Sequence, residues 1–269
     1  MPLAVCATPI GNLDDVTLRV LAELRAADTV LAEDTRHTRG LLDRHGIRAR
    51  LLSYHEHNEA ARVAELLPRL AAGERLALVT DAGLPGISDP GVRLVRAALD
   101  AGLEVTVLPG PSAVETALVA SGLGDGPYAF VGFLPRGKSA LEALWRETGG
   151  WGTTVVAFES PKRLTATLRS LAELDPERPA AVCRELTKRF EEVARGTAAE
   201  LAARFAEAPK GEITLVVAPP ASRADEAGLS AGLTAVADLV AAGTPRRVAA
   251  EVVSRFTDAS RNDLYKGTL

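Results

Sequence analysis

Leu76-Ala77-Leu78-Val79-Thr80-Asp81-Ala82-Gly83-Leu84-Pro85-Gly86-Ile87-Ser88-Asp89-Pro90 is the stretch whose reading decides the fold. Leu76–Thr80 is a near-continuous apolar run, the texture of a parallel strand buried on both faces. Asp81–Pro90 then places two aspartates, two glycines and two prolines in ten residues. Glycine lets backbone approach a ligand closely, and proline stiffens the chain. A plain connecting turn needs about two to six residues. A loop this long and stiff after a buried strand reads as a ligand-binding loop.

The same texture extends in both directions. Upstream, strands Leu3–Ala7, Thr29–Ala32 and Leu51–Tyr54 alternate with helices Thr17–Ala26, Thr38–His45 and Glu59–Ala72. In the last of these, Val63, Leu66, Leu67 and Leu70 recur at helical steps, with Asn58 as N-cap. Downstream come helix Val92–Ala101, strand Glu104–Leu108 and helix Ala113–Ser121. Such alternation predicts an α/β domain with a mainly parallel sheet over 1–121. Gly122-Leu123-Gly124-Asp125-Gly126-Pro127 breaks the rhythm and reads as a linker. A second α/β domain follows over 127–219. There, strand Ala180–Arg184 runs to strand Phe190–Arg195 with no helix between, which predicts a hairpin and a mixed sheet. After the polar tract Pro219–Gly228, residues 229–269 read as a helical tail of short units, Ala237–Ala241, Arg246–Phe256 and Arg261–Tyr265. The predicted architecture is two α/β domains with a cleft between them and a small C-terminal helical tail.

Composition narrows the class. The 269 residues are 47% hydrophobic and 25% charged, an ordinary globular balance. Net charge is −4 and the sequence pI about 5.7. Nucleic-acid binding through bulk charge is thereby disfavoured, so any such contact must come from local basic patches. Cys6 and Cys183 lie in apolar runs and read as buried reduced thiols, which fits a cytoplasmic protein. The N-terminus carries no signal-peptide pattern, and no apolar run reaches membrane-spanning length, so no membrane partner is expected.

Two more loops resemble the first in placement. Thr8-Pro9-Ile10-Gly11-Asn12-Leu13 follows the first strand, and Leu108-Pro109-Gly110-Pro111-Ser112-Ala113 follows the fifth. Ligands of doubly wound sheets sit at such strand ends. Neither GxGxxG nor a Gly-Lys-Ser/Thr tail is present, which disfavours a nucleoside triphosphate.

These three loops resemble those of the tetrapyrrole methylase (class III) superfamily of S-adenosylmethionine-dependent methyltransferases. Ala32–Thr38, Ser53–Glu59, Gly132–Arg136, Arg184–Lys188 and Lys210–Thr214 resemble the branch that methylates a cytidine ribose 2′-oxygen in small-subunit ribosomal RNA. Arg261–Lys266 resembles that branch's C-terminal signature. The resemblance implies an S-adenosylmethionine site between the domains, touching Pro9, Ala82, Gly83, Leu84, Ile87, Ser112, Ala113, Phe158, Glu159, Leu186 and Thr214. It also implies a homodimer acting on ribosomal RNA or the assembled small subunit. Tetrapyrrole enzymes commonly carry GPGD and GGDP where this chain has Thr8-Pro9-Ile10-Gly11 and Ala82-Gly83-Leu84-Pro85, which argues for RNA over a porphyrin-like acceptor.

Methylating a ribose hydroxyl needs alignment and a way to remove or support a proton. Candidate catalytic residues are Glu33, Asp34, His55 and Glu185. Asp34 also reads as a helix N-cap. Four histidines without a well-spaced third ligand argue against a metal. Candidate RNA contacts are Arg36, Asn58, Arg136, Lys188, Arg246 and Arg247, with Tyr54, Phe133 and Tyr265 as possible stackers. Two other readings stay open at this point: C-methylation of a tetrapyrrole, and a non-catalytic S-adenosylmethionine-binding assembly protein.

Overall fold

A computed structural model describes residues 2–220, 223–257 and 259–268, without the side chains of 223–228. In chain order, the first half contains β1 (Leu3–Cys6), α1 (Leu18–Ala26), β2 (Thr29–Ala32), α2 (Thr35–Arg44), β3 (Leu51–Ser53) and α3 (Glu59–Ala71). It continues with β4 (Leu76–Val79), α4 (Val92–Asp100), β5 (Val105–Leu108) and α5 (Ala113–Ser121). The five strands form one parallel sheet in the order β3-β2-β4-β1-β5. Alternate side chains leave a strand on opposite faces. Ala4, Cys6, Val30, Ala32, Ala77 and Val79 therefore pack with Val20 and Leu24 of α1 and Leu42 of α2. Leu3, Leu31, Leu76 and Leu78 pack on the other face with Leu66 and Leu70 of α3 and Leu94 of α4. The chain leaves β1 toward β2 and returns through β4 to β5. Strand order thus reverses at the β1–β4 neighbourhood, where ligands bind in open α/β sheets.

The second half contains β6 (Tyr128–Phe133), α6 (Lys138–Gly149), β7 (Thr154–Glu159), α7 (Pro161–Leu174), β8 (Pro179–Arg184), β9 (Glu192–Thr197), α8 (Ala198–Arg204) and β10 (Ile213–Val217). Their sheet is mixed, in the order β6-β7-β10-β8-β9, and β8–β9 is the expected antiparallel hairpin. One face packs on α6, α7 and α8. The other, carrying Val156, Ala181, Cys183 and Val216, packs against Ile10 and against Val114, Ala117 and Leu118 of α5. This shared cluster lies within one compact unit, residues 1–148 and 153–218. The Gly122–Pro127 stretch is a turn inside it, opened by Gly122 in the left-handed region (φ 72°) as C-cap of α5. Cys6 and Cys183 are buried thiols, pushed up to about 12 and about 11 chiefly by burial.

Residues 149–152 and 219–269 make the second unit. Its helices are α9 (Arg223–Ala241), α10 (Arg246–Val253) and α11 (Arg261–Lys266), closed around Val236, Ala249, Ala250, Val253 and Leu264. Helix α9 is one long element that begins inside the tract read as a polar connection, whose Ala221 and Ser222 lie outside the described residues. Gly232 lets α11 approach: a Cβ there would stand 2.8 Å from Leu264 Cδ2. Among the described residues no helix is long and apolar enough to cross a membrane.

Candidate active site

The three loops after β1, β4 and β5 meet. Thr8 and Gly83 form an isolated antiparallel bridge, with Thr8 N–H donating to the Gly83 carbonyl at 2.8 Å and Gly83 N–H to the Thr8 carbonyl at 3.1 Å. The Thr8 hydroxyl also donates to the Thr80 carbonyl at 2.9 Å. Gly83 has φ 75°, and a Cβ on it would stand 3.9 Å from Ile10 Cγ2 and 4.0 Å from the Pro111 carbonyl. All three loops thus come within van der Waals distance of one backbone point. The left-handed region there suits glycine.

The second sheet supplies the facing wall. Gly132 (φ 71°) sits in a β6 irregularity between Phe130 and Phe133, and a Cβ on it would be 3.8 Å from Ser88 Oγ. Phe158 lies edge-on between Phe130 (4.9 Å) and Phe133 (5.5 Å). Leu186 is buried with Ile10, and Asn12 N–H donates to Thr187 Oγ1 at 3.0 Å. Gly11 is pressed so closely to Leu186–Lys188 that a Cβ would lie 2.6 Å from Lys188 Cγ. Pro9, Ala82, Gly83, Leu84, Ile87, Ser112, Ala113, Phe158 and Leu186 belong to these converging segments. Thr214 is buried in β10, opposite Phe158.

Several other candidate residues have partners within the chain. Ser112 occupies the N-cap position of α5 without a capping bond; its hydroxyl is held by Glu115 instead. Glu159 is turned inward, its side chain fully buried, accepting from Ser160 N–H at 2.6 Å and the Thr167 hydroxyl at 2.5 Å and paired with Arg163. Glu185, in the left-handed region at φ 51°, accepts from Glu212 N–H at 2.9 Å and Lys188 Nζ at 3.1 Å. The Glu212 N–H first, and Lys188 after it, hold its carboxyl below the ordinary range. Lys188 is spent between Glu185 and Glu212. Burial pulls its amine down, but those carboxylates outweigh it and the net shift is up.

Asp34 caps α2 one turn earlier than the predicted Thr38 start, accepting Arg36 N–H at 2.8 Å. The Arg36 guanidinium and N–H hold its carboxyl down at about 2. Asn58 holds the N-cap position of α3, as expected, but without a side-chain capping bond. It accepts from His55 N–H (2.9 Å), donates to the Ser53 carbonyl (3.3 Å) and meets His55 Nε2 at 3.2 Å. Asn58 therefore clips the 53–58 turn, and His55 spends one ring nitrogen on it. Arg36 and Arg136 are exposed beside the loops, Arg36 paired with Asp34. Arg246 and Arg247 open α10 in the other unit, where they make no ion pair among the described residues.

Sequence reasoning missed a carboxylate group at the sheet edge. Asp34 N–H donates to Asp81 Oδ1 at 3.1 Å and Asp81 N–H to Glu33 Oε2 at 3.5 Å, because β2 and β4 are neighbours. Asp89, at the far end of the same loop, is pushed up to about 7 by burial and then by the charges of Glu33 and Asp81. Burial likewise raises Glu33. An acid raised on folding costs stability once the unfolded chain can ionise it. The cost is absent below the unfolded value near 3.8 and grows until pH passes about 7. Asp89→Asn is therefore expected to raise the melting temperature at pH 8 by about 3 °C, after discounting for partial exposure. That gain should vanish as pH falls toward about 4; a gain independent of pH would show that Asp89 is not strained.

A family model, tetrapyrrole (corrin/porphyrin) methylases, matches residues 2–202. The chain belongs to the tetrapyrrole methylase family. This methylase is 45% identical to Ribosomal RNA small subunit methyltransferase I of Mesorhizobium japonicum, over 99% of its own length and 91% of the relative's. It is 44% identical to the protein of that name from Micromonospora olivasterospora, over 98% and 85%. For the one from Thermotoga maritima the values are 46%, 64% and 77%. Among solved structures, the methyltransferase CobJ matches the methylase with TM-score 0.61 at 22% identity, covering 82% of this chain and 95% of that one. Diphthine synthase matches with 0.62 at 16%, covering 81% and 89%. These two likenesses establish the fold alone.

Proposed function

We propose that this methylase transfers a methyl group from S-adenosylmethionine to the ribose 2′-hydroxyl of a cytidine in small-subunit ribosomal RNA. The likeness that carries the reading is the 45% identity, over nearly the whole chain, to a relative named for that RNA. The meeting point suits a donor held by backbone: Gly83 carries no side chain where the loops after β1, β4 and β5 converge. Bound there, S-adenosylmethionine supplies an electrophilic methyl whose bonding pair leaves on a neutral thioether. The chain's own work is alignment by the Thr8–Gly83 bridge, exclusion of water by Ile10, Phe158 and Leu186, and handling of the hydroxyl proton.

A homodimer in the cytoplasm completes the proposal. Val107 on edge strand β5, Val119 on α5 and Tyr128 on edge strand β6 are 51%, 80% and 40% exposed, leaving apolar surface for a second copy. The acceptor is tested by offering isolated small subunits, their naked RNA and a porphyrinogen-type tetrapyrrole in parallel with methyl-labelled donor. Label is expected in RNA and not in the tetrapyrrole. RNA binding is expected to weaken steeply with salt. Donor binding with no transfer to any acceptor would make the chain a binding protein.

A further inference from the structure

Strand β6 carries a fault that redirects one side chain. It lies at the edge of its sheet, paired with β7, and its register slips between Phe130 and Phe133. Side chains alternate between the two faces of a strand. Val131 packs on the face covered by α6, α7 and α8, and Phe130 on the face toward α5 and Ile10. Unbroken alternation would send residue 133 to the Val131 face. Gly132, in the left-handed region at φ 71°, is the extra residue of a bulge. Beyond it, Phe133 pairs with Phe158 on the Phe130 face, the two rings 5.5 Å apart, and Leu134 enters the core on the other face. The redirected Phe133 is 62% exposed. A lone exposed apolar side chain is ordinary, but one turned outward by a bulge beside a ligand site is a built feature. The bulge does stand beside that site: a Cβ on Gly132 would be 3.8 Å from Ser88 Oγ of the 81–90 loop.

Two exposed cations lie on the adjoining segments. Arg136 is in the turn after β6, and Lys162 is in the first turn of α7. Neither has an ion-pair partner among the described residues. Both belong to one sheet edge, because Leu134 N–H donates to the Phe158 carbonyl at 3.1 Å and Arg163 Nη2 to the Leu134 carbonyl at 2.9 Å. Their basic neighbours are committed, Arg163 to Glu159 and Lys138 to Glu142 and Glu173. We propose that Phe133 is a stacking platform for one unpaired base of the RNA substrate, with Arg136 and Lys162 on the phosphates beside it. The inference rests on the RNA reading above and deepens it. An apolar ring offered to solvent beside two unpaired cations suits a base carried on a phosphate chain. Stacking is tolerant of base identity, so the platform selects a splayed-out single strand rather than a sequence. It also fits a net charge of −4, since affinity then comes from a few local contacts. The other aromatics read as stackers do not compete. Tyr54 is buried with its hydroxyl on Glu59, and Tyr265 belongs to the second unit.

The full chain, Phe133→Ala, Phe133→Trp and Arg136→Ala/Lys162→Ala are compared in single-turnover methyl transfer to isolated small ribosomal subunits, with the subunit concentration varied. Phe133→Ala is expected to raise the half-saturating subunit concentration by about ten- to a hundredfold. Its donor affinity by calorimetry should stay within about threefold of wild type, and its salt slope should not change. Phe133→Trp should restore saturation at wild-type concentrations, and subunits should quench its added fluorescence. The double variant should also saturate later, with a salt slope shallower by about 1–2. Phe133→Ala saturating at wild-type concentrations would overturn the platform. A larger loss of donor affinity would place the ring in the donor pocket instead, and a shift from dimer to monomer in sedimentation would seat a second copy on it; either would overturn the platform too. An unchanged salt slope in the double variant would remove the phosphates from these two cations. If wild type binds donor yet methylates no RNA, the RNA reading itself falls. If wild type methylates RNA and Phe133→Ala matches it, this proposal alone falls.

Discussion

Valine at position 83 is expected to weaken S-adenosylmethionine binding by about a thousandfold while the chain stays folded. Gly83 is held at φ 75° by two backbone hydrogen bonds to Thr8. A β-branched residue in that region is a genuine outlier costing about 1–3 kcal/mol. The valine methyls also need room where Ile10 and Pro111 stand at about van der Waals distance from the Cβ position. If the loop relaxes, the two bridge hydrogen bonds are lost, at about 1 kcal/mol each. Restoring the native course then costs about 3–5 kcal/mol that donor binding must supply, which centres on a thousandfold at about 1.4 kcal/mol per decade. The sheet core lies behind this loop and should hold, so the far-ultraviolet dichroism should match wild type. Calorimetric titration reads the effect. Affinity within about threefold of wild type would mean that the donor does not lie at this meeting point.

Glu159→Leu is expected to destabilise the folded chain by about 3–5 kcal/mol, the cost of breaking a buried ion pair from one side. The carboxylate has no solvent exposure. Its loss strands the Thr167 hydroxyl, the Ser160 N–H and the Arg163 guanidinium, which is otherwise held by the Leu134 carbonyl at 2.9 Å. Urea unfolding measures the loss. Glu159→Gln retains part of the network and should fall between the two. The resemblance to the methylases implied a donor contact at Glu159, and this pair of variants separates the roles. A Gln variant as stable as wild type but more than about tenfold weaker for the donor would restore the donor contact; the reverse pattern is the one the burial predicts.

Why some of this was readable from sequence and some was not has a physical cause. Strands such as Leu76–Val79 announce themselves because burial on both faces requires an unbroken apolar run. The three loops are legible because glycine and proline report backbone shape directly. Helix α2 began three residues early because Asp34, read both as an N-cap and as a base, is committed to the cap and to Arg36. Partnerships were not legible. Asp34, Asp81 and Glu33 meet only because β2 and β4 are neighbours, a pairing across about fifty positions that no local pattern encodes. Glu185 and Lys188 sit in a motif that resembles a functional one, yet they hold each other and Glu212. Asp89 lay in view inside the opening loop; that it stands near Glu33 and Asp81 is visible only in three dimensions.

The most direct test of the account is to identify the methylated nucleoside. Small subunits are incubated with the full chain and methyl-labelled S-adenosylmethionine, and their RNA is digested to nucleosides and analysed by mass spectrometry. The account predicts a single labelled product, 2′-O-methylcytidine, formed by wild type. Label on a base carbon or nitrogen, or no label in RNA while the donor is bound, would contradict it.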